Sequence, residues 1–240
     1  MTKTIPCINT QQFEAKTISK DQRPLDYKLI IFDWDGTLMD SIDRIVSSIQ
    51  NAALSSDLIV PSAESVKQII GLSLSTAITT LFPDNSAKDT LALIEEYKHQ
   101  YVEANTTPAP LFDDAIELLS ALKNKNKILA IATGKGRRGL DRVLNMTRTE
   151  QFFHSSRSAD DAKSKPHPEM LHSLLDELGV AKKDAIMIGD TSHDLLMAQS
   201  AGIDSIGITC GVHNREVLEK FEPKAIVNSL SELKTLLLTS

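Results

Sequence analysis

Short apolar strands alternate with helical segments through the second half of the chain, and this pattern restricts the possible folds strongly. Strand-like runs are expected at residues 127–133, 156–158, 185–189, 205–209 and 225–227, with helical segments between them. Strands separated by helices usually form a parallel sheet that the helices cover on both faces. We therefore predict an α/β protein with a Rossmann-like, doubly wound parallel sheet.

One further strand comes much earlier in the chain. Residues 28–33 (KLIIFD) predict a buried strand, but residues 41–105 carry no convincing strand and are typical of several helices. The prolines of 106–112 (TTPAPLF) indicate a linker. We interpret 42–110 as an inserted all-helical cap domain. Residues 27–41 and 111–240 would form the α/β core, and residues 1–26 a polar N-terminal extension.

Composition excludes several classes of protein. The 240 residues contain two cysteines, Cys7 and Cys210, so a disulfide-stapled scaffold is excluded. No apolar run approaches the ~20 residues of a membrane helix. The N-terminus lacks the apolar segment of a signal peptide, which predicts a cytoplasmic protein without a membrane partner. The net charge of −6 argues against a nucleic-acid partner.

Acidic residues follow two of the predicted strands. Asp33 and Asp35 end the first strand, and as residues i and i+2 they point the same way. Asp190 ends another strand, and Asp194 follows at the start of a helix. Ligands of open parallel sheets bind beyond the carboxyl ends of the strands. Converging carboxylates suit a hard cation, and Mg²⁺ beside phosphate is the commonest case.

The same strand ends offer groups for phosphoryl transfer. A carboxylate can attack phosphorus, and a second carboxyl can protonate the leaving oxygen. Thr133 and the N–H group of Gly134 could donate to phosphate oxygens, and Lys165 could supply a positive charge. Structural roles remain open alternatives: a turn at Asp35-Gly36, a helix cap at Thr133, and a surface position for Lys165 or its neighbour Lys163.

Four motifs in this order resemble those of the haloacid dehalogenase-like hydrolases: DWDGT (33–37), AT-G (132–134), the lysine of SKPHPE, and GDTSHD (189–194). The resemblance covers residues 28–238 and is strongest to helical-cap members similar to phosphoglycolate phosphatases. It implies Asp33 as the nucleophile and Asp35 as the general acid/base. Thr133 would bind the phosphoryl group, and Lys165 would steady the nucleophile and phosphate.

The resemblance also implies a Mg²⁺ site formed by Asp33, Asp190 and the backbone carbonyl of Asp35, which Asp194 supports directly or through water. Further candidates for phosphate or substrate binding are Gly36, Thr37, Gly134 and Lys135. Trp34 stands where the family usually has Leu, Met or Phe, and we expect its ring to point away from the carboxylates into the sheet packing.

The expected activity is Mg²⁺-dependent hydrolysis of a small phosphorylated metabolite, phosphoglycolate-like or a sugar phosphate, through an aspartyl-phosphate. The alternatives are a phosphosugar mutase and a non-catalytic phosphate-binding or regulatory protein on the same scaffold. By family analogy residues 71–73 form a specificity loop. This loop contains no Arg or Lys, which favours hydrolysis over isomerisation. The sequence leaves the substrate open, and also the choice between monomer and homodimer.

Overall fold

A six-stranded parallel sheet forms the centre of the protein. The computed structural model describes residues 25–238, so the predicted extension lies outside the description except for its last two residues. The strands are β1 Leu29–Phe32, β2 Ile128–Ala132, β3 Ser155–Arg157, β4 Ala185–Gly189, β5 Asp204–Ile208 and β6 Ala225–Val227. Their order is β3-β2-β1-β4-β5-β6, and every pairing is parallel. The predicted fold class is confirmed.

The side of the sheet on which the chain adds strands changes at β1. This change marks the end of the sheet where a functional site is expected. The chain proceeds from β1 through β2 to β3 on one side, then returns to build β4, β5 and β6 on the other. Phe32, the last residue of β1, is in register with Ile131 of β2 and Ile188 of β4. The segments that follow these three strands are therefore neighbours. A crevice at such a switch point is where doubly wound folds bind ligands.

Ten α-helices surround the sheet or follow β1. They are α1 Ile42–Ser55, α2 Ala63–Lys67, α3 Leu74–Leu81, α4 Ala87–His99, α5 Ala115–Asn124, α6 Arg137–Thr147, α7 Glu169–Leu178, α8 Ser192–Ala201, α9 Arg215–Leu218 and α10 Leu230–Leu238. A π-helical turn, Gln100–Ala104, continues α4. These counts refer to residues 25–238.

The period-two pattern of β1 explains the two layers of helices. Ile30 and Phe32 belong to an apolar cluster that also contains residues of α5, α6 and α10. Leu29 and Ile31 point to the other face, into a second cluster built with α7 and α8. Alternate strand residues face opposite sides of a sheet, so a strand that is apolar throughout is buried on both faces. All four of these side chains are buried.

The segment between β1 and α5 is helical, as predicted, and contains no strand of the sheet. Its helices share two apolar clusters of their own, one around Ile45 and Ile49 and one around Ile78 and Leu93. The boundaries 42–110 for a separate cap domain stay a prediction.

Several predicted boundaries are wrong by one or two residues. The first strand is shorter at both ends than 28–33. The helix predicted near 139–145 begins at Arg137 and ends at Thr147. The helix predicted from residue 113 begins at Ala115, because Asp114 has the left-handed conformation (φ 65°) and cannot continue a helix. The short helix α9 was not predicted. Among the described residues, no helix is long and apolar enough to cross a membrane.

Candidate active site

The turn after β1 brings the first two aspartates to the switch point. Asp33 extends the strand pairing, since its N–H donates to the carbonyl of Ile188 at 2.9 Å, and it is 1% exposed. Gly36 has φ 81°, and a Cβ on it would lie 2.3 Å from Asp190 Oδ2. Only glycine allows this turn to lie so close to Asp190. Trp34 is fully buried in the cluster of α5, α6 and α10, with its ring N–H on the sulfur of Met39.

Three of the four predicted acidic residues form one buried cluster. Carboxylate oxygens of Asp33, Asp190 and Asp194 all lie within 4.8 Å of one another. The carboxylate of Asp35 is not part of this cluster. Its Oδ1 accepts from the hydroxyl of Ser41 at 2.7 Å, and its Oδ2 forms an ion pair with Lys135 at 3.0 Å.

Lys165 is the positive charge inside the acidic cluster. Its Nζ lies 2.8 Å from Asp33 Oδ1 and 2.6 Å from Asp194 Oδ1, and its side chain has no exposed surface. Burial lowers the pKa of Lys165, but the two carboxylates outweigh this effect and hold that pKa above the usual value. Its neighbour Lys163 is exposed. Of the two candidate lysines, only Lys165 reaches the cluster.

One ammonium does not balance three buried carboxylates. Burial raises the pKa of Asp33 to about 7; Lys165 opposes the rise and the charge of Asp194 adds to it. Burial, followed by the charges of Asp194 and Asp33, raises the pKa of Asp190 well above its ordinary value. The cluster therefore resists full ionisation unless another cation is present.

The donor set fits a divalent cation. Asp33 Oδ2 is buried without a hydrogen-bond partner, and Asp33 Oδ1 meets Lys165 in an ion pair that is not a well-aligned hydrogen bond. An unpaired buried carboxylate oxygen is costly, and a cation bound there would remove the cost. Hard divalent ions prefer oxygen ligands of this kind. The acidic cluster is thus suited to a metal ion whose identity the geometry leaves open.

Asp194 has a structural role beside its place in the cluster. It forms a capping box with Thr191 at the start of α8: Asp194 N–H donates to Thr191 Oγ1, and Thr191 donates to Asp194 Oδ2 from its N–H and hydroxyl. With Lys165 on Oδ1, both carboxylate oxygens of Asp194 are engaged. This residue is held in place more firmly than Asp33.

The turn after β2 carries Thr133 and Gly134. Thr133 is 1% exposed, and its Oγ1 accepts from the N–H of Lys135 at 3.2 Å. A Cβ on Gly134 would lie 2.4 Å from the carbonyl oxygen of Gly71 and 2.5 Å from that of Leu72. The loop 71–73 therefore rests directly on this turn. Ser73 N–H also donates to the hydroxyl of Ser164, next to Lys165, at 2.8 Å.

Two predicted phosphate ligands are engaged with the protein itself. The hydroxyl of Thr37 donates to Asp190 Oδ1 at 2.8 Å. The N–H groups of Gly36 and Thr37 donate to the carbonyls of Met39 and Trp34. Thr37 thus orients Asp190, while phosphate binding by Gly36 and Thr37 stays a prediction.

A loop after β5 supplies site residues that were not predicted. Val212 N–H donates to Asp190 Oδ2 at 2.8 Å, and His213 N–H donates to the Asp190 carbonyl. A Cβ on Gly211 would lie only 2.1 Å from Asp190 Oδ2. Burial lowers the pKa of His213, whose Nδ1 accepts from the N–H of Ser192. The signal in the sequence that could have identified this loop was Gly211, which lies just beyond β5, the strand that pairs with β4.

A cavity of about 640 Å³ lies over these strand ends. Asp33, Asp35 and Thr133 line it from the sheet, and loop 71–73 lines it from the helical segment. Its more distant wall includes Tyr101 of the π-helical turn. The volume is in the range of small-molecule sites.

A parallel sheet with buried carboxylates and a cavity at its switch point is typical of α/β enzymes. The family model described as haloacid dehalogenase-like hydrolase matches residues 30–208, and the chain belongs to this family. The resemblance inferred from the motifs is confirmed.

Similar proteins agree with this assignment. "Probable phosphatase IndB" of Dickeya dadantii (strain 3937) is 34% identical over 210 residues, covering 85% of this chain and 91% of that protein. A phosphoglycolate phosphatase of Colwellia psychrerythraea is 30% identical over 217 residues, covering 86% and 95%. The crystal structure of a predicted phosphatase from Clostridium acetobutylicum superposes with a TM-score of 0.78 at 27% identity, covering 89% and 99%.

Proposed function

We propose that the protein is a Mg²⁺-dependent phosphatase that hydrolyses a small phosphorylated metabolite through a phosphorylated Asp33. The observation that carries this proposal is the carboxylate of Asp33. It lines the cavity, has an oxygen without a hydrogen-bond partner, and lies against the ammonium of Lys165. The phosphatase names of the similar proteins support the reaction class.

In the first step, a carboxylate oxygen of Asp33 forms a bond to phosphorus as the bond from phosphorus to the leaving oxygen breaks. Asp35, as the general acid, gives a proton to that oxygen, and the dephosphorylated product departs. In the second step Asp35 takes a proton from water, whose oxygen attacks phosphorus and releases inorganic phosphate and free Asp33. The position of Asp35 at the cavity, held by Ser41 and Lys135, supports this role.

The remaining residues hold charge and orientation. Lys165 would steady Asp33 and a phosphate oxygen, and Thr133 and Gly134 would donate to other phosphate oxygens. Gly36 and Thr37 remain candidates for phosphate contacts, and Lys135 for a contact to the substrate. Asp33, Asp190 and the backbone carbonyl of Asp35 would hold Mg²⁺, with Asp194 in support directly or through water. When bound, the ion would offset the negative charge of the carboxylates and the phosphate.

The helices between β1 and α5 would act as a lid. Loop 71–73 already contacts Gly134 and Ser164 beside the site. Such a lid excludes bulk water from the reacting groups. The loop carries no Arg or Lys that would hold a sugar phosphate for return of the phosphoryl group, which favours hydrolysis over the phosphosugar-mutase alternative.

The test is phosphate release from p-nitrophenyl phosphate and a panel of phosphorylated metabolites, with Mg²⁺ and with EDTA. The wild-type protein should release phosphate in the presence of Mg²⁺ and should stop doing so in EDTA. Asp33→Asn should be inactive. Asp176→Asn, an exposed aspartate of α7, is the matched control and should keep full activity. Appreciable turnover by Asp33→Asn would exclude the covalent route. Isomer formation from hexose 1-phosphates without phosphate release would establish a mutase instead.

A further inference from the structure

Arg142 of α6 lines the cavity with an unusual lack of protein partners. Its Nε is buried without a hydrogen-bond partner, and no ion pair found among residues 25–238 includes it. The other partly buried arginines of that range, Arg44, Arg137 and Arg157, each donate to backbone carbonyls, and the last two also pair with carboxylates. A guanidinium is always charged and carries five donors, so such a position favours an external anion.

The location of Arg142 connects it with the carboxylates of the active site. Its guanidinium carbon lies 5.7 Å from the ring centre of Tyr101, and the ammonium of Lys135 lies 5.0 Å from the same centre. Lys135 in turn is 3.0 Å from Asp35. One aromatic ring and one ammonium thus separate Arg142 from the proposed acid/base, inside a single cavity.

The shared ring is held in position by the π-helical turn. The carbonyl oxygen of Tyr101 accepts from Nε and Nη2 of Arg44, at 3.0 and 2.8 Å, and the Arg44 guanidinium also lies 5.2 Å from the ring centre. Turns of this kind occur often at functional sites. Tyr101 therefore gives Arg142 a fixed flat surface while leaving the donor edge of the guanidinium available.

The charges around the cavity leave Arg142 uncompensated. Lys135 is paired with Asp35, and the cavity-lining Glu95 and Glu103 are already bonded to Lys98 and His99. The cavity-lining Asp160 accepts from the N–H of Arg137, and no carboxylate of the described residues forms an ion pair with Arg142. A small anion in the cavity would meet attraction at this point and not repulsion.

We propose that Arg142 binds a second oxyanion of the substrate, remote from the phosphorus that Asp33 attacks. The inference rests on the proposed function and narrows its substrate class to phosphate esters or anhydrides that carry another anionic group. A guanidinium binds a carboxylate or a phosphoryl group through two parallel hydrogen bonds, so both satisfy the same recognition.

The experiment compares substrates that differ only in the second charge. Phosphoglycolate and its three- and four-carbon homologues are paired with their neutral primary amides. Pyrophosphate is included as the substrate whose second anionic group is a phosphoryl group. The measured quantity is kcat/KM for phosphate release by the Mg²⁺-loaded enzyme. Wild type should prefer at least one acid over its amide by about 100-fold, and the best chain length reports the distance from Arg142 to Asp33. If a carboxylate substrate has a higher kcat/KM than pyrophosphate, the second oxyanion is a carboxylate. If pyrophosphate has the higher kcat/KM, the second oxyanion is a phosphoryl group.

Two variants locate the preference. Arg142→Met should reduce the acid-to-amide ratio to near one, while Arg142→Lys, which keeps the charge without the planar fork, should retain an intermediate ratio. Arg148→Met removes an exposed arginine at the end of the same helix, outside the cavity lining, and should leave the ratio unchanged. Thermal unfolding followed by circular dichroism checks that each variant folds. If Arg142→Met does not fold, the test uses Arg142→Lys in its place.

The inference is overturned by a wild-type ratio near one for every pair without activity on pyrophosphate, or by an equal loss on acids and amides in Arg142→Met. An equal fall of the ratio in Arg148→Met would also overturn it, because general positive charge would then explain the preference. Failure of the proposed function is a separate outcome, in which wild type releases no phosphate from any compound, p-nitrophenyl phosphate included.

Discussion

Replacing Asp33 by Asn should stabilise the metal-free protein at pH 8. The reason is the pKa of Asp33, which burial raises from 3.8 to about 7. A carboxyl group with a raised pKa holds its proton more tightly in the folded state than in the unfolded chain. Its contribution to stability is therefore complete below pH 3.8 and is lost as pH rises through about 7. Asn cannot ionise and avoids this loss.

The size of the effect follows from the pKa. A rise from 3.8 to about 7 corresponds to ~4 kcal/mol at ~1.4 kcal/mol per pKa unit, lost from wild type by pH 8. The pKa of about 7 already includes the attraction to Lys165, which keeps Asp194 at 2.6 Å in the variant. An amide in place of the carboxyl group in this fully packed site offsets part of the gain. We expect a net gain of roughly 1–3 kcal/mol at pH 8 and little or no gain at pH 5. For a chain of this size, that gain raises Tm by several degrees.

Urea unfolding followed by circular dichroism, in EDTA at pH 5, 6, 7 and 8, measures this difference. Asp176→Asn, which removes an exposed carboxylate, should follow wild type at every pH. Added Mg²⁺ at pH 8 should stabilise wild type more than Asp33→Asn, because the variant lacks one carboxylate of the cluster. A variant that is less stable than wild type at pH 8 in EDTA would refute the view that the cluster holds uncompensated negative charge.

Three other substitutions test the packing of the site. Lys165→Met should destabilise the metal-free protein by roughly 3–5 kcal/mol in urea at pH 8, since the carboxylates lose their buried cation; unchanged stability would contradict its role. Gly211→Ala places a methyl group against Asp190 and should weaken Mg²⁺ binding at least ~10-fold by calorimetry; wild-type affinity would count against a metal role for Asp190. Gly134→Ala should push loop 71–73 away and raise KM for a metabolite substrate on the order of 10-fold, whereas an unchanged KM would show that the loop does not close over the substrate.

The local sequence was sufficient to predict the strands of the sheet, but it was not sufficient to predict every helix end. The runs AIMIG and AIV were predicted at the bounds that the structure gives to β4 and β6, because apolar runs between helices have little alternative in this fold. The start of α6 depends on a distant residue: the N–H of Arg137 donates to Asp160 Oδ2 at 2.7 Å. A cap that comes from 23 residues away has no local signature in the sequence.

The active site likewise contains residues that local sequence predicts and contacts that depend on distant parts of the chain. Asp33, Thr133, Lys165 and Asp190 were predicted because each follows a strand or precedes a helix at the switch point, and the structure places all four at one end of the sheet. The ion pair of Asp35 with Lys135 joins residues 100 positions apart, and the role proposed for Arg142 depends on Tyr101 from another part of the chain. Spacing within a motif carries no information about such contacts.

Direct detection of a phosphorylated Asp33 tests the central claim. Enzyme with Mg²⁺ and excess substrate is quenched in acid within the first turnovers and digested with pepsin, and the peptide that contains residues 29–38 is analysed by mass spectrometry. The proposed reaction predicts a phosphoryl group on Asp33 that disappears when the substrate is exhausted and never forms in Asp33→Asn. Rapid phosphate release with no modified peptide at any quench time, or with the phosphoryl group on another residue, would contradict the account.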